Sequence, residues 1–156
     1  QEACFRVYND WIAEFCNYDP SRFAGLGLIS LFDIERGRQE LERCKKIGLK
    51  GAMIWASPPD DQPYRSPAYD SFWATAQELG IPLSLHLVTG KSKHSQQDES
   101  NLVDLYVRLI NRPHEIQDSL LTLIFSGVLE RFPRLRLVSA EADVAWVPHM
   151  LERADK

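Results

Sequence analysis

Two side chains capable of acid–base or metal chemistry lie near the ends of two short apolar segments. His86 lies in segment 82–88, where leucines alternate with Ser84 and His86, and Glu141 ends segment 135–141. Alternation with period two predicts β-strands, with one face apolar and one face polar. An imidazole nitrogen can bind a metal or carry a proton, and a carboxylate can do the same. These two residues are therefore the first candidates for a metal ligand and a catalytic group.

Each candidate also has a structural explanation. A single histidine on an apolar strand is often a buried residue with satisfied hydrogen bonds, and Glu141 can form a salt bridge with a neighbouring Arg or Lys. Strand alternation alone places Glu141 on the same face as Leu137 and Ser139. Ser84, on the face of His86, favours a functional role. The residues by themselves leave both explanations open.

Three further residues are candidates for substrate binding. Trp55 and Ser57 lie at the end of apolar segment 49–56, and His94 lies in segment 89–101, which has almost no apolar residues. A loop of this length inside a compact unit is uncommon and often functional. The alternatives are that Trp55 is packed in the core, that His94 is exposed, and that the loop is disordered.

The spacing of apolar residues predicts one helix followed by four strand–helix units. Helices are expected at 3–18, 34–47, 66–80, 102–110, 113–132 and 146–153, and strands within 23–31, 49–56, 82–88 and 135–141. Strict alternation of this kind implies parallel strands joined by right-handed crossovers.

Two parallel α/β folds compete, a doubly wound sheet and part of a (β/α)₈ TIM barrel. No glycine-rich nucleotide-binding loop follows any predicted strand, and polar residues at the strand ends favour the barrel. A complete barrel needs about 250 residues. The 156 residues are therefore expected to form a single partial TIM-barrel domain of about four βα units. Because the first residue is not Met and a helix is already under way there, a fragment of a longer chain is expected.

Composition argues against several classes of partner. The net charge is −4 with scattered Lys and Arg, which disfavours nucleic acid and anionic membranes as partners. The sequence has no stretch of 18 apolar residues, so no membrane span is expected. The three cysteines, Cys4, Cys16 and Cys44, contain no C-x-x-C pair, so a disulfide framework or structural zinc site is not expected. They are interpreted as packing residues in a reducing, cytoplasmic setting.

Several segments together resemble a known family. They are Tyr8-Asn9-Asp10-Trp11 with Glu14-Phe15-Cys16, Leu85-His86, the run from Ile124 to Pro133, and Trp146-Val147-Pro148 with Leu151-Glu152-Arg153. In these segments the chain resembles the amidohydrolase-related proteins, metal-dependent hydrolases similar to aminocarboxymuconate-semialdehyde decarboxylase. The resemblance runs essentially from end to end, and the part from Phe125 to Pro133 is the most specific.

The resemblance implies a distorted TIM barrel with one divalent metal, usually zinc, at its C-terminal mouth. It identifies this chain with the third to sixth strands, and His86 with the metal ligand of the fifth. On the sixth strand many members have an acid–base histidine where this chain has Glu141. The first-strand His-x-His and the eighth-strand Asp have no counterpart here.

The function expected from the resemblance is part of a hydrolase or carboxy-lyase that acts on a small organic acid or amide with metal-activated water. The fragment alone is expected to be inactive because most metal ligands are missing. The alternative is a non-catalytic half-barrel module that pairs with another chain. In either case the open sheet predicts a homo-oligomer or a requirement for the missing barrel half.

Overall fold

The computed structural model describes residues 1–91 and 101–156. Within these residues, a first helix is followed by strand–helix units in the predicted order. The helices are α1 (Glu2–Cys16), α2 (Ile34–Lys46), α3 (Asp70–Leu79, preceded by the 3₁₀ turn Pro67–Tyr69), α4 (Leu102–Asn111), α5 (Pro113–Phe125), α6 (Val128–Arg131) and α7 (Trp146–Ala154). The strands are β1 (Leu26–Leu28), β2 (Gly51–Trp55), β3 (Leu83–His86) and β4 (Leu137–Ala140).

The four strands form one parallel sheet in the order β1-β2-β3-β4. Trp55 pairs with His86, and His86 pairs with Ala140, so the last residues of three strands lie side by side. Sequential strand order with helical connections is what the alternating pattern predicted. It brings the carboxyl ends of all four strands together along one side of the sheet, which is called its carboxyl edge to distinguish it from the lateral edge formed by β1.

The helix boundaries follow local capping signals. Asp33 accepts a hydrogen bond from the Arg36 N–H at 3.0 Å at the start of α2, and Ser66 accepts one from the Ala68 N–H at 3.3 Å. Gly80 ends α3 with φ +64°, a left-handed conformation that glycine adopts without steric cost. Pro113 begins α5, where its missing N–H leaves no unsatisfied donor.

The core packs helices α2, α3, α5 and α6 against the sheet. Leu83 and Leu85 of β3 are fully buried, as their alternation with Ser84 and His86 predicted. An aromatic cluster packs beside α3, with ring centroids 5.2 to 5.6 Å apart; its members are Tyr64, Tyr69, Phe72 and Trp73. This core fixes the positions of β2 and β3 and therefore of the residues at their ends.

Asn9 of α1 binds the backbone of the edge strand β1. Its amide oxygen accepts a hydrogen bond from the Leu28 N–H at 2.7 Å, and its amide nitrogen donates to the Leu28 carbonyl at 3.1 Å and to Glu40 at 2.8 Å. The next residue, Ile29, bonds to β2, so Leu28 faces the open edge. The fully buried Asn9 amide thus takes the place of a neighbouring strand's peptide group.

Large apolar side chains remain exposed on helices α1 and α4. On α1, Trp11 and Phe15 are about half exposed, with ring centroids 5.9 Å apart. On α4, Leu102, Tyr106 and Ile110 are more than 60% exposed. Such surfaces in soluble proteins commonly mark contacts with further structure. Among the described residues no helix is both long and apolar enough to cross a membrane.

Replacing Asn9 with alanine should lower the free energy of unfolding by roughly 2–4 kcal/mol, because it leaves the Leu28 N–H and carbonyl without partners. Urea denaturation measures this value. The exposed Asn17 provides the matched control, and Asn17→Ala should change it by less than about 0.5 kcal/mol. Equal effects of the two substitutions would contradict the role of Asn9 at the edge.

The thiols should differ sharply in reactivity. Cys44 is buried, and burial raises its pKa to about 12, whereas Cys4 is exposed. Because the thiolate is the reactive form, iodoacetamide near pH 8 should alkylate Cys4 in the folded chain and Cys44 only after unfolding. Peptide mass spectrometry with and without urea checks this, and similar rates for both cysteines in the folded chain would show that the assigned packing of Cys44 is wrong.

Candidate functional site

The His86 imidazole lies at the C-terminal end of β3, with one third of its side chain exposed. Its Nδ1 atom is 2.8 Å from the carbonyl oxygen of the next residue, Leu87. A carbonyl oxygen only accepts hydrogen bonds, so Nδ1 carries the proton when the ring is neutral. The Nε2 atom then has a free lone pair, as a metal ligand or general base requires.

Glu141 supplies a carboxylate on the other side of this ring. Its Oε2 is 3.6 Å from Nε2 of His86, and two thirds of the side chain is exposed. The pair is close enough for a shared ion or proton to lie between the two groups. Both residues also remain open to solvent at the edge of the sheet, so a small molecule can approach them.

The position of Glu141 corrects the prediction from strand alternation. His86 pairs with Ala140, and paired residues of parallel strands point to the same face, so alternation would direct Glu141 away from His86. However, β4 ends at Ala140, and Glu141 has φ +62°. The left-handed backbone conformation of Glu141 ends the alternation of side-chain directions and brings the Glu141 carboxylate beside the imidazole.

Trp55 shares the face of His86 but is packed rather than open. Its side chain is 3% exposed, and its ring centroid lies 4.7 Å from that of Phe32 in an edge-on arrangement. Within the described part of the chain, the indole N–H has no hydrogen-bond partner. A role of Trp55 in substrate binding remains a prediction.

Ser57 belongs to a separate cavity of about 530 Å³ between the loop after β2 and helices α4 and α5. Tyr64, Arg108 and His114 also line this cavity, whereas His86 and Glu141 do not. The structure therefore does not bring Ser57 together with the His86–Glu141 pair. His94 lies outside the described residues, as does most of segment 89–101, and the roles predicted for Ser57 and His94 remain predictions.

The metal-binding atoms at this edge, the Nε2 of His86 and the Glu141 carboxylate beside it, suffice for one side of a metal site. Across residues 1–91 and 101–156, no group of three or more His, Cys, Asp or Glu side chains is arranged to hold an ion. A catalytic zinc usually has three protein ligands. A histidine whose second nitrogen donates to a backbone carbonyl, as in His86, has the orientation typical of metal-binding imidazoles. His86 fits as one ligand of such a site, and a complete site would need further ligands besides the described residues.

Sequence reasoning missed the turn that follows His86. The Thr89 hydroxyl lies 2.6 Å from the His86 carbonyl oxygen and 2.7 Å from the Ala56 nitrogen, and Val88 has φ +68°. Nothing in a Leu-Val-Thr sequence signals a left-handed valine, because β-branched residues rarely adopt this conformation.

Comparison with known proteins shows the relatives of the chain. A family model described as amidohydrolase matches residues 1–156. Gamma-resorcylate decarboxylase from Rhizobium radiobacter is 28% identical over 160 residues, which cover 96% of this chain and 47% of that protein. The 2-amino-3-carboxymuconate-6-semialdehyde decarboxylase from Dictyostelium discoideum is 29% identical over 135 residues, covering 85% of this chain and 35% of that protein.

A solved structure agrees with this relationship. The 5-carboxyvanillate decarboxylase from Novosphingobium aromaticivorans, complexed with manganese and 4-hydroxy-3-methoxy-5-nitrobenzoic acid, matches with a TM-score of 0.80 and 25% identity. The match covers 98% of this chain and 43% of that one. The four-stranded sheet is thus about half of a TIM barrel, which confirms the predicted fold class. The chain spans about half the length, or less, of the relatives it matches.

Proposed function

This chain belongs to the amidohydrolase family, and we propose that it forms one wall of the active site of a metal-dependent carboxy-lyase that acts on an aromatic carboxylic acid. The observation that carries the proposal is the His86–Glu141 pair at the carboxyl edge of the parallel sheet, with the two side chains 3.6 Å apart and the Nε2 lone pair free. That edge is where α/β barrels have their active sites.

The relatives favour decarboxylation over the other reaction that the resemblance implied. The related proteins compared above are decarboxylases, and the solved structure of one of them is complexed with manganese and a nitrobenzoic acid. Hydrolysis of an amide has no counterpart among them. The proposed substrate class is therefore a benzoic acid with hydroxyl groups, similar to the 2,6-dihydroxybenzoate for which a related decarboxylase from Rhizobium is named.

His86 would hold a divalent metal through Nε2, with the Leu87 carbonyl fixing the ring orientation. When bound, such a metal supplies Lewis-acid polarisation of substrate oxygens. Manganese in the related structure supports a divalent ion, and the more specific expectation of zinc remains a prediction.

Glu141 is proposed to handle the proton. Loss of carbon dioxide from an aromatic acid leaves electron density on a ring carbon, which must take up a proton. The Glu141 carboxyl group lies beside His86 and is largely exposed, so it can exchange protons with solvent and still reach a molecule at the sheet edge. In this role it replaces the histidine that many family members have on the sixth strand.

The alternative function is a non-catalytic half barrel that assembles with another chain or with a second copy. It is supported by the exposed apolar residues of α1 and α4. In this alternative, the side chains at the carboxyl edge of the sheet need not bind a metal.

Because Cys4, Cys16 and Cys44 are free thiols, we also propose a reducing, cytoplasmic location for either function.

Manganese binding by the 156-residue chain separates these two functions. Paramagnetic Mn²⁺ broadens NMR signals of nearby nuclei even when binding is weak, so it suits a site with few ligands. Substoichiometric Mn²⁺ should broaden the ring signals of His86 before those of His149 on α7, and diamagnetic Zn²⁺ should shift the same signals. His86→Ala should abolish selective broadening at Glu141.

The control variant is His149→Ala, which removes an exposed imidazole on α7 and should leave the broadening at Glu141 unchanged. If Mn²⁺ broadens all histidines equally, or if His86→Ala leaves the broadening at Glu141 intact, then His86 is not a ligand. The half-barrel function would then be the better explanation of the chain.

Turnover by the isolated chain should be absent. With 2,6-dihydroxybenzoate and Mn²⁺, we expect no carbon dioxide release above the uncatalysed rate, because the described residues supply one metal ligand where a catalytic site usually needs three. Gas-phase detection of labelled carbon dioxide measures this release. Turnover that persists in the presence of EDTA would overturn both the incomplete site and the metal assignment.

A further inference from the structure

We propose that Thr89 is a positioning residue that determines which nitrogen of His86 is free. Its hydroxyl stabilises the turn from His86 to Thr89, and the conformation of that turn directs the Leu87 carbonyl at the His86 ring. The functional consequence rests on the proposed role of His86 as a metal ligand, whereas the geometric claim stands without it.

The Thr89 hydroxyl joins the ends of two strands. It donates to the His86 carbonyl at 2.6 Å and accepts from the Ala56 N–H at 2.7 Å, so it connects the residue after β2 to the last residue of β3. The Ile54 carbonyl, at 3.4 Å, is a weaker second acceptor. One hydroxyl therefore binds both strands at the edge where the site lies.

The turn holds one residue in a strained conformation. Thr89 N–H donates to the His86 carbonyl at 3.4 Å, which closes a four-residue turn with Val88 in third position. Val88 has φ +68°, the sign that a type II turn requires and the opposite of a type I turn. A β-branched residue persists in this region only when its surroundings enforce it. The two short bonds of the Thr89 hydroxyl provide that enforcement.

The strained residue controls the carbonyl that orients His86. Type I and type II turns differ by a rotation of the central peptide, which here is the peptide between Leu87 and Val88. Its carbonyl accepts the hydrogen bond from His86 Nδ1 at 2.8 Å. If Val88 relaxed to negative φ, this carbonyl would turn away, and the ring proton would be free to move to Nε2. The nitrogen that faces Glu141 would then no longer offer a lone pair.

The test measures the histidine tautomer directly. Long-range ¹H–¹⁵N NMR of the chain labelled with ¹⁵N-histidine distinguishes Nδ1–H from Nε2–H without any metal. The pH of the sample is raised until the ring signals of His86 no longer change, and the two neutral tautomers are compared there. Thr89→Val keeps the shape of the side chain and removes the hydroxyl. It should lower the ratio of Nδ1–H to Nε2–H at His86 about fivefold, as loss of one hydrogen bond predicts.

Thr89→Ser provides the matched control because it restores the hydroxyl, and it should keep the ratio within about twofold of the wild-type value. His149 in the same spectra should not change in any variant. An unchanged tautomer in folded Thr89→Val, or a serine variant that behaves like the valine variant, would overturn the proposal.

If Thr89→Val unfolds the chain, the same substitution is made in a second starting protein that carries Val88→Gly. Glycine adopts positive φ without strain, so Val88→Gly should stabilise the turn and keep the Nδ1–H tautomer. In the Val88→Gly background, Thr89→Val should change the ratio by less than about twofold. An equally large effect in both backgrounds would contradict the link through Val88. A tautomer shift without selective Mn²⁺ broadening at His86 would uphold this inference while rejecting the proposed function.

Discussion

The site depends on the parallel register of β2, β3 and β4, which brings the last residues of these strands to one edge. Because His86 pairs with Trp55 on one side and Ala140 on the other, its ring lies in the middle of that edge. The register is stabilised by buried leucines below the sheet, with Leu83 and Leu85 fully enclosed. A shift of one residue would exchange the two faces of β3 and move the imidazole into the apolar layer. The buried leucines that stabilise the core therefore also fix the position of His86.

The same sheet is open, and open parallel sheets have backbone groups and apolar faces that need partners. Four parallel strands leave two edges, and parallel sheets are normally covered on both faces. At the β1 edge the chain partly solves the problem itself, because Asn9 satisfies both backbone groups of Leu28. The pKa of the Glu40 carboxyl group beside it reflects a balance. Burial raises this pKa, but the hydrogen bonds from Arg43 and Asn9, together with the positive charges of Arg43 and Arg6, lower it below its ordinary value. Within residues 1–91 and 101–156 the apolar side chains of α1 and α4 stay exposed, and the relatives of the chain are about twice as long.

Sequence periodicity predicted the elements well and the site only in part. Helical spacing, capping residues and apolar runs are local signals, so they predicted the order of helices and strands and the polar face of β3. The approach of Glu141 to His86 depends on one backbone angle after the end of β4, which alternation cannot show. The bond from Asn9 to Leu28 joins residues 19 positions apart, and no local pattern indicates it. The contact between the Trp55 and Phe32 rings likewise joins residues from different strand–helix units.

Backbone strain is concentrated at the carboxyl edge of the sheet in the part of the chain that the structure describes. Within the part of the chain that the structure describes, the non-glycine residues with positive φ are Val88, Glu141 and Asp143. All three follow the carboxyl ends of β3 and β4, the two strands that supply the His86–Glu141 pair. A relaxed connection would serve equally well to join a strand to a helix, so strain at these positions calls for a compensating gain. At Glu141 that gain is the approach of the carboxylate to the imidazole. At Val88 the strained turn places the Leu87 carbonyl against Nδ1, so the two strained positions set the surroundings of both nitrogens of the same ring.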